Sequence, residues 1–135
     1  MTPTPRLVVD SWAWLELFMG TNGGKEVESR MANSTESLTT VVTVAEVISV
    51  ALRRKRTIED KIAVIRSMSR VVPPTPDDAV EAGIIHAKTK VTNPNFSLAD
   101  AFVLQLARKT GSKILTGDPD SRGIKEAVFV GQDTT

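Results

Sequence analysis

The chain contains no cysteine and a single histidine among its 135 residues. Without cysteine it forms neither disulfides nor cysteine-ligated zinc sites, and it fits a reducing cytoplasm. With His86 alone, ribonuclease chemistry that uses paired histidines as acid and base is excluded. No stretch approaches the roughly 20 apolar residues that a membrane-spanning helix needs. Residues 1–6 hold no apolar signal-peptide core, so a cytoplasmic protein without a membrane partner is expected. An excess of one charge is also missing: 17 Lys and Arg stand against 16 Asp and Glu, a net charge of +1. Any affinity for nucleic acid must therefore come from a local patch. No dinucleotide fingerprint occurs. Gly20-Thr21-Asn22-Gly23-Gly24-Lys25-Glu26 resembles a phosphate loop only faintly, because its spacing is short and Glu26 replaces the required hydroxyl residue. It reads as a turn.

What is present is ordinary for a globular domain: 41% hydrophobic and 24% charged residues. The length suits one domain over 1–135, with its core spanning about 6–131. Apolar strand-like runs alternate with helical patterns throughout, which predicts an α/β fold with a mostly parallel sheet covered on both faces. Strands are predicted at 6–9, 37–41, 71–72, 113–116 and 127–130, about five in all. Residues 6–9 are apolar and uncharged beyond Arg6, so this strand should be central. Helices are predicted at 11–20, 24–33, 43–54, 57–69, 76–90 and 98–110. Asn22-Gly23-Gly24 reads as a turn, and Pro73-Pro74 as a break. Pro76-Asp77-Asp78 is a helix start, and Gly111 is a stop.

Acidic residues recur where strands or loops hand over to helices. Asp10 follows Leu7-Val8-Val9, and Asp118 follows Ile114-Leu115-Thr116. Glu46 and Asp100 fall in predicted first helical turns. Each has a plain structural reading. Thr43-Val44-Ala45-Glu46 and Ser97-Leu98-Ala99-Asp100 match capping boxes, while Asp10 and Asp118-Pro119 match simple caps. Capping does not require acids where Ser or Thr would serve. In a parallel α/β sheet the strand-to-helix turns share one edge, where ligands bind. Carboxylates gathered there repel one another unless a cation is shared between them. The set points to a divalent-metal site, and helix N-termini lower the cost of gathering the charge.

Val8-Val9-Asp10-Ser11, Thr43-Val44-Ala45-Glu46-Val47, Leu98-Ala99-Asp100-Ala101 and Leu115-Thr116-Gly117-Asp118-Pro119-Asp120 together resemble the motifs of a PIN domain. This is the metal-dependent nuclease fold of the VapC-like toxins, and the resemblance runs from about Arg6 to Gly131. Ser121 departs from it, standing where the family's last motif usually carries an aromatic. The resemblance implies a three-layer α/β/α fold and a Mg2+- or Mn2+-dependent endoribonuclease. Oxygen donors and a few carboxylates suit either ion. Asp10, Glu46, Asp100 and Asp118 are the expected catalytic and metal-binding residues, and Asp120 is a further candidate ligand. Ser11 and Thr116 are expected to hydrogen-bond a ligand carboxylate or simply to close the strand ends. By the same resemblance, a cognate antitoxin protein is the expected partner and RNA the substrate. A homodimer is expected through helices 43–54 and 57–69, which carry many aliphatic side chains.

Arg53-Arg54-Lys55-Arg56 ends a predicted helix, where cations already favour the carbonyl dipole, and it is also the candidate RNA contact. Lys88, Lys90, Lys109 and Arg122 form no comparable pattern. His86 reads as a packed or surface helix residue. Trp12 and Trp14 lie two apart, so they serve different helix faces in packing. Two alternatives to the toxin remain. A non-toxic PIN relative in RNA processing or binding would show the same motifs. A receiver-like magnesium-binding signalling module would need an acidic pair after the first strand and an acceptor after the third. Only Asp10 follows the first strand, and Val71-Val72 runs into Pro73-Pro74.

Overall fold

The computed structural model describes residues 5–131. Strand β1 is Leu7–Val9, followed by α1, Ser11–Met19, and α2, Asn22–Ala32. Strand β2, Ser37–Thr40, leads into α3, Val41–Arg53, and α4, Glu59–Met68. Strand β3, Arg70–Val72, precedes α5, Pro76–Lys90, and α6, Leu98–Thr110. Strand β4, Lys113–Thr116, a 3-10 turn at Pro119–Ser121 and strand β5, Ala127–Phe129, complete the chain. The sheet order is β3-β2-β1-β4-β5, and every neighbouring pair is parallel. The sheet is thus fully parallel rather than mostly so, with β1 central as expected.

Side chains alternate across β1 and so build a core on each side of the sheet. Val8 joins Leu38, Ile85, Leu104 and Ile114 beneath α5 and α6. Leu7 and Val9 join Trp14, Val27, Val47 and Leu115 beneath α1 to α4. The result is a three-layer α/β/α sandwich. Trp14 is fully buried, and its indole Nε1 donates to Thr39 Oγ1 at 3.1 Å, so packing explains it. Asp78 ties the α5 and α6 layer together. It completes a capping box with Thr75 and accepts from Gln105 Nε2 at 2.8 Å and Lys109 Nζ at 2.9 Å. The Thr75 backbone bond, followed by Lys109, holds its carboxyl down at about 2.

Helix starts differ from the sequence expectation at three places, of which α4 simply begins at Glu59 rather than at 57. Asn22-Gly23-Gly24 is not a turn but the first turn of α2, because the Thr21 hydroxyl caps it by accepting from Gly24 N at 3.0 Å. Helix α3 begins at Val41, two residues early, because Thr40 and not Thr43 is its cap. Thr43 instead presents its own N–H to the Thr40 hydroxyl. The N-terminal start of α2 also requires a glycine. A Cβ on Gly24 would lie 2.2 Å from the Glu16 carbonyl oxygen, so α1 and α2 approach too closely for any side chain there. At Gly23 the nearest atoms would stand at 3.6 Å, an ordinary contact. Gly24→Ala is therefore expected to destabilise the domain by about 1–3 kcal/mol through overpacking. Gly23→Ala should be neutral or slightly stabilising, since it only removes unfolded-chain freedom. Denaturant titration of the two variants checks the contrast, and equal effects would contradict the close crossing.

Candidate active site

Strands β1 and β4 pair in register, Val9 opposite Leu115, so the residues that follow them emerge side by side at one sheet edge. Asp10 N donates to Leu115 O at 3.3 Å and extends that pairing by one step. Asp10 then turns into α1, and its Oδ1 accepts from Ala13 N at 2.9 Å as the helix cap. The fully buried Thr116 hydroxyl links the two strand ends. It hydrogen-bonds the Asp10 carboxylate and accepts from Asp118 N at 3.1 Å. Asp118 in turn caps the 3-10 turn, with its Oδ1 accepting from Asp120 N at 2.9 Å. Asp100 arrives from the other layer at the start of α6, where it completes a capping box with Ser97.

Every capping reading but one is therefore realised. The exception is Glu46, which lies beyond the first turn of α3 because the helix starts at Val41. Its carboxylate instead hydrogen-bonds Ser11, the first residue of α1. Ser11 and Thr116 thus each face a candidate carboxylate, Glu46 and Asp10 respectively.

The electrostatics bring four acids into one field. Burial pushes the Asp10 carboxyl up to about 7, and the charges of Asp100 and Asp118 add to the rise. The Thr116 and Ala13 hydrogen bonds oppose it without cancelling it. Burial also raises Glu46, with Ser11 opposing and Asp100 again contributing. Asp10 is 7% exposed, so the largest effect falls on the least hydrated acid.

Asp120 is not part of this field. It is exposed, and its Oδ1 accepts from Asn95 Nδ2 at 3.4 Å. The basic run Arg53–Arg56 lies at the far end of α3, fully on the surface. Eight residues separate Glu46 from Arg54, about 12 Å along a helix axis. Lys55 takes the left-handed conformation at φ 57°, which ends α3 through bonds from Lys55 N to Leu52 O and from Arg56 N to Ala51 O. His86 bonds the Phe96 carbonyl and stacks near its ring, a packed helix residue as expected.

Among the described residues, no three acidic or histidine side chains converge closely enough to cage an ion directly. The donor chemistry nonetheless suits a hard divalent cation, because all four groups are carboxylates and one is buried under like charge. Magnesium keeps several of its waters and does not require a closed protein cage.

A PIN domain family model matches residues 7–127. The chain belongs to the PIN domain family. A comparison with curated protein sequences finds no match. Among solved structures, this PIN domain is similar to a toxin–antitoxin complex from Klebsiella pneumoniae at 20% identity and TM-score 0.69, covering 90% of this chain and 95% of that one. It is similar to the sarcin-ricin loop cleaving toxin VapC20 of Mycobacterium tuberculosis at 18% identity and TM-score 0.71, covering 88% and 95%. It also resembles VapBC2 of Rickettsia felis, solved with a promoter DNA fragment, at 9% identity and TM-score 0.70, covering 92% and 96%. These likenesses concern the fold. A receiver-like module is set aside by topology, since β3 is an edge strand two positions from β1.

The structure adds a residue pair that sequence reasoning passed over. A Cβ on Gly117 would lie 2.2 Å from Trp12 Cη2, so the indole lies flush against the backbone between Thr116 and Asp118. The glycine inside Leu115-Thr116-Gly117-Asp118 was the available signal. Trp12 braces the Asp118 turn from the α1 side.

Asp10 yields a pH prediction. Its proton affinity is higher folded than unfolded, so its contribution to stability falls as pH rises from about 3.8 to about 7. Asp10→Asn keeps an equally good cap and removes the charge. In metal-free buffer it should match the parent below about pH 4 and exceed it by about 2–4 kcal/mol at pH 8. Unfolding curves across pH check this. A constant difference at all pH values would refute the buried-charge account.

Proposed function

We propose that this PIN domain is a Mg2+- or Mn2+-dependent endoribonuclease and the toxin of a toxin–antitoxin pair. The observation that carries the reading is the buried Asp10 carboxylate, raised by burial and by the facing charges of Asp100 and Asp118. Such an arrangement opposes folding unless a cation offsets it. Asp10, Glu46, Asp100 and Asp118 would hold the ion. When bound, it supplies Lewis acidity toward the phosphodiester and makes a water more acidic.

The chain's own groups do the rest. Thr116 fixes Asp10 and, through the Asp118 N–H, the turn beside it. The caps at Ala13, Ser97 and Asp120 orient three carboxylates while engaging only one oxygen of each through backbone N–H groups. Glu46 caps nothing, and burial raises its proton affinity, so its carboxylate is suited to take a proton from the attacking water. In-line attack on single-stranded or loop RNA would leave a 5′-phosphate. The exposed Arg53–Arg56 run supports phosphate contact away from the acids. No helix is long and apolar enough to cross a membrane among the described residues.

Asp10→Asn and Asp100→Asn each remove charge but little volume and keep a capping oxygen. Each should lower RNA cleavage by at least about 100-fold with folding retained, and a chelator should abolish parent activity. Cleavage at the parent rate by both variants would reduce these acids to caps.

Assembly is part of the proposal. Leu15, Phe18, Met19 and Ala51 floor a cleft of about 610 Å³ rimmed by Arg54, Arg56 and Lys61, which suits an acidic amphipathic antitoxin segment. Val41, Val44, Ile48, Ile62 and Val71 line a second cleft of about 420 Å³ between α3 and α4, supporting the homodimer. Sedimentation of the protein purified from its host is expected to show a particle larger than two chains. A lone monomer at every concentration would overturn both interfaces.

A further inference from the structure

The proposed site has to hold its acids in place while they repel one another, and Asp118 is the least anchored of them. It sits on a short 3-10 turn outside the sheet, not on a long helix. Trp12 supports that turn on the α1 side. On the opposite side stands the loop 91–97 between α5 and α6. Asn93 Nδ2 donates to the Asp120 carbonyl at 2.6 Å, and Asn95 Nδ2 to the Asp120 carboxylate at 3.4 Å. These bonds span 27 and 25 residues of sequence.

The loop that carries the asparagines is itself tied down. Phe96 is 3% exposed within the α5–α6 core, and its N–H donates to Asn93 O at 3.1 Å. Lys90 Nζ donates to Pro94 O at 2.8 Å, and His86 Nε2 bonds Phe96 O at 3.2 Å. The same loop ends at Ser97, the cap that orients Asp100. One short segment therefore holds the Asp100 helix start at one end and grips the Asp118 turn with its side chains.

We propose that Asn93 and Asn95 are positioning residues that lock the Asp118 turn to the Asp100 helix start. Asp120 is then the grip of this clasp and not a metal ligand. The inference rests on the proposed cation-binding role of the acidic set. Without the clasp, repulsion from Asp10 and Asp100 is free to push the turn outward, and the acids meet a cation only after paying for reassembly. Partners of this kind commonly alter metal affinity by about 10–100-fold when removed.

The test uses the full chain without RNA. Mn2+ binding is measured by calorimetry, and amide exchange is followed over residues 118–122. The double variant Asn93→Ala with Asn95→Ala removes both bonds and no charge. It should weaken Mn2+ binding by roughly tenfold and speed exchange in the turn, with the global unfolding midpoint nearly unchanged. The exchanged pair Asn95→Asp with Asp120→Asn keeps net charge and lets the amide donate in the reverse direction. It should bind Mn2+ as the parent does. Unaltered exchange and affinity in the double alanine variant would overturn the clasp. Weakened binding in the exchanged pair with exchange still slow would overturn it too, by making Asp120 a ligand. A parent chain that binds no Mn2+ would sink the metal reading, while the exchange rates would still decide whether the clasp exists.

Discussion

Burying a carboxylate at the end of a central strand is unfavourable, and much of this edge of the molecule is arranged around it. Asp10 follows β1, whose register with β4 places Thr116 beside it and the Asp118 turn just beyond. The same residue starts α1, so the sheet edge and the first helix share one anchor. Trp12, in the first turn of that helix, is then set against Gly117. Shifting β1 by one residue against β4 would exchange the core faces of Leu7, Val8 and Val9 and separate Asp10 from Thr116. Register is thus enforced by both apolar packing and the polar contacts that the site needs.

Caps and candidate ligands turn out to be the same residues in three of four cases. A cap engages one carboxylate oxygen with a backbone N–H, and a helix terminus adds a partial positive charge. Both effects favour the ionised form and fix the direction of the side chain. Acids at such positions are therefore partly pre-oriented by the backbone itself. Glu46 lacks this support, being deeper in α3, and depends on Ser11 instead. That difference separates a carboxylate held by a side chain from three that backbone N–H groups restrain.

The layers and strand order of this fold were legible because buried parallel strands are short apolar runs and their helices are amphipathic. Asp10, Asp100 and Asp118 were legible because each stands at a strand or loop end, whereas Glu46 lies deeper in α3. What escaped notice was decided by single hydroxyls and tertiary contacts. Thr21 turns Asn22-Gly23-Gly24 into a helix start, although the glycines by themselves argue for a turn. Thr40 competes with Thr43 for the α3 cap, and choosing between them determines whether Glu46 is a cap or a free acid. The end of α3 was read correctly from its basic run, but not the left-handed Lys55 that makes it, at a position where Gly is the usual signal. The Asn93 and Asn95 contacts join residues too far apart in sequence for any periodicity to show.

A net charge of +1 conceals a polar division of the molecule. Acids gather at the strand-end edge, whereas Arg53, Arg54, Lys55 and Arg56 extend from the far end of α3. On the proposed reading, an RNA strand is attracted at the cationic end and repelled at the acidic one. Phosphate contacts supply affinity through charge, but the scissile phosphate must enter where the protein's own field is negative. A cation among Asp10, Glu46, Asp100 and Asp118 reverses that local sign. Binding and chemistry are then separate electrostatic problems on one helix: α3 carries Glu46 midway along it and the arginines at its end. Loss of the cation would leave RNA held at one end and excluded at the other.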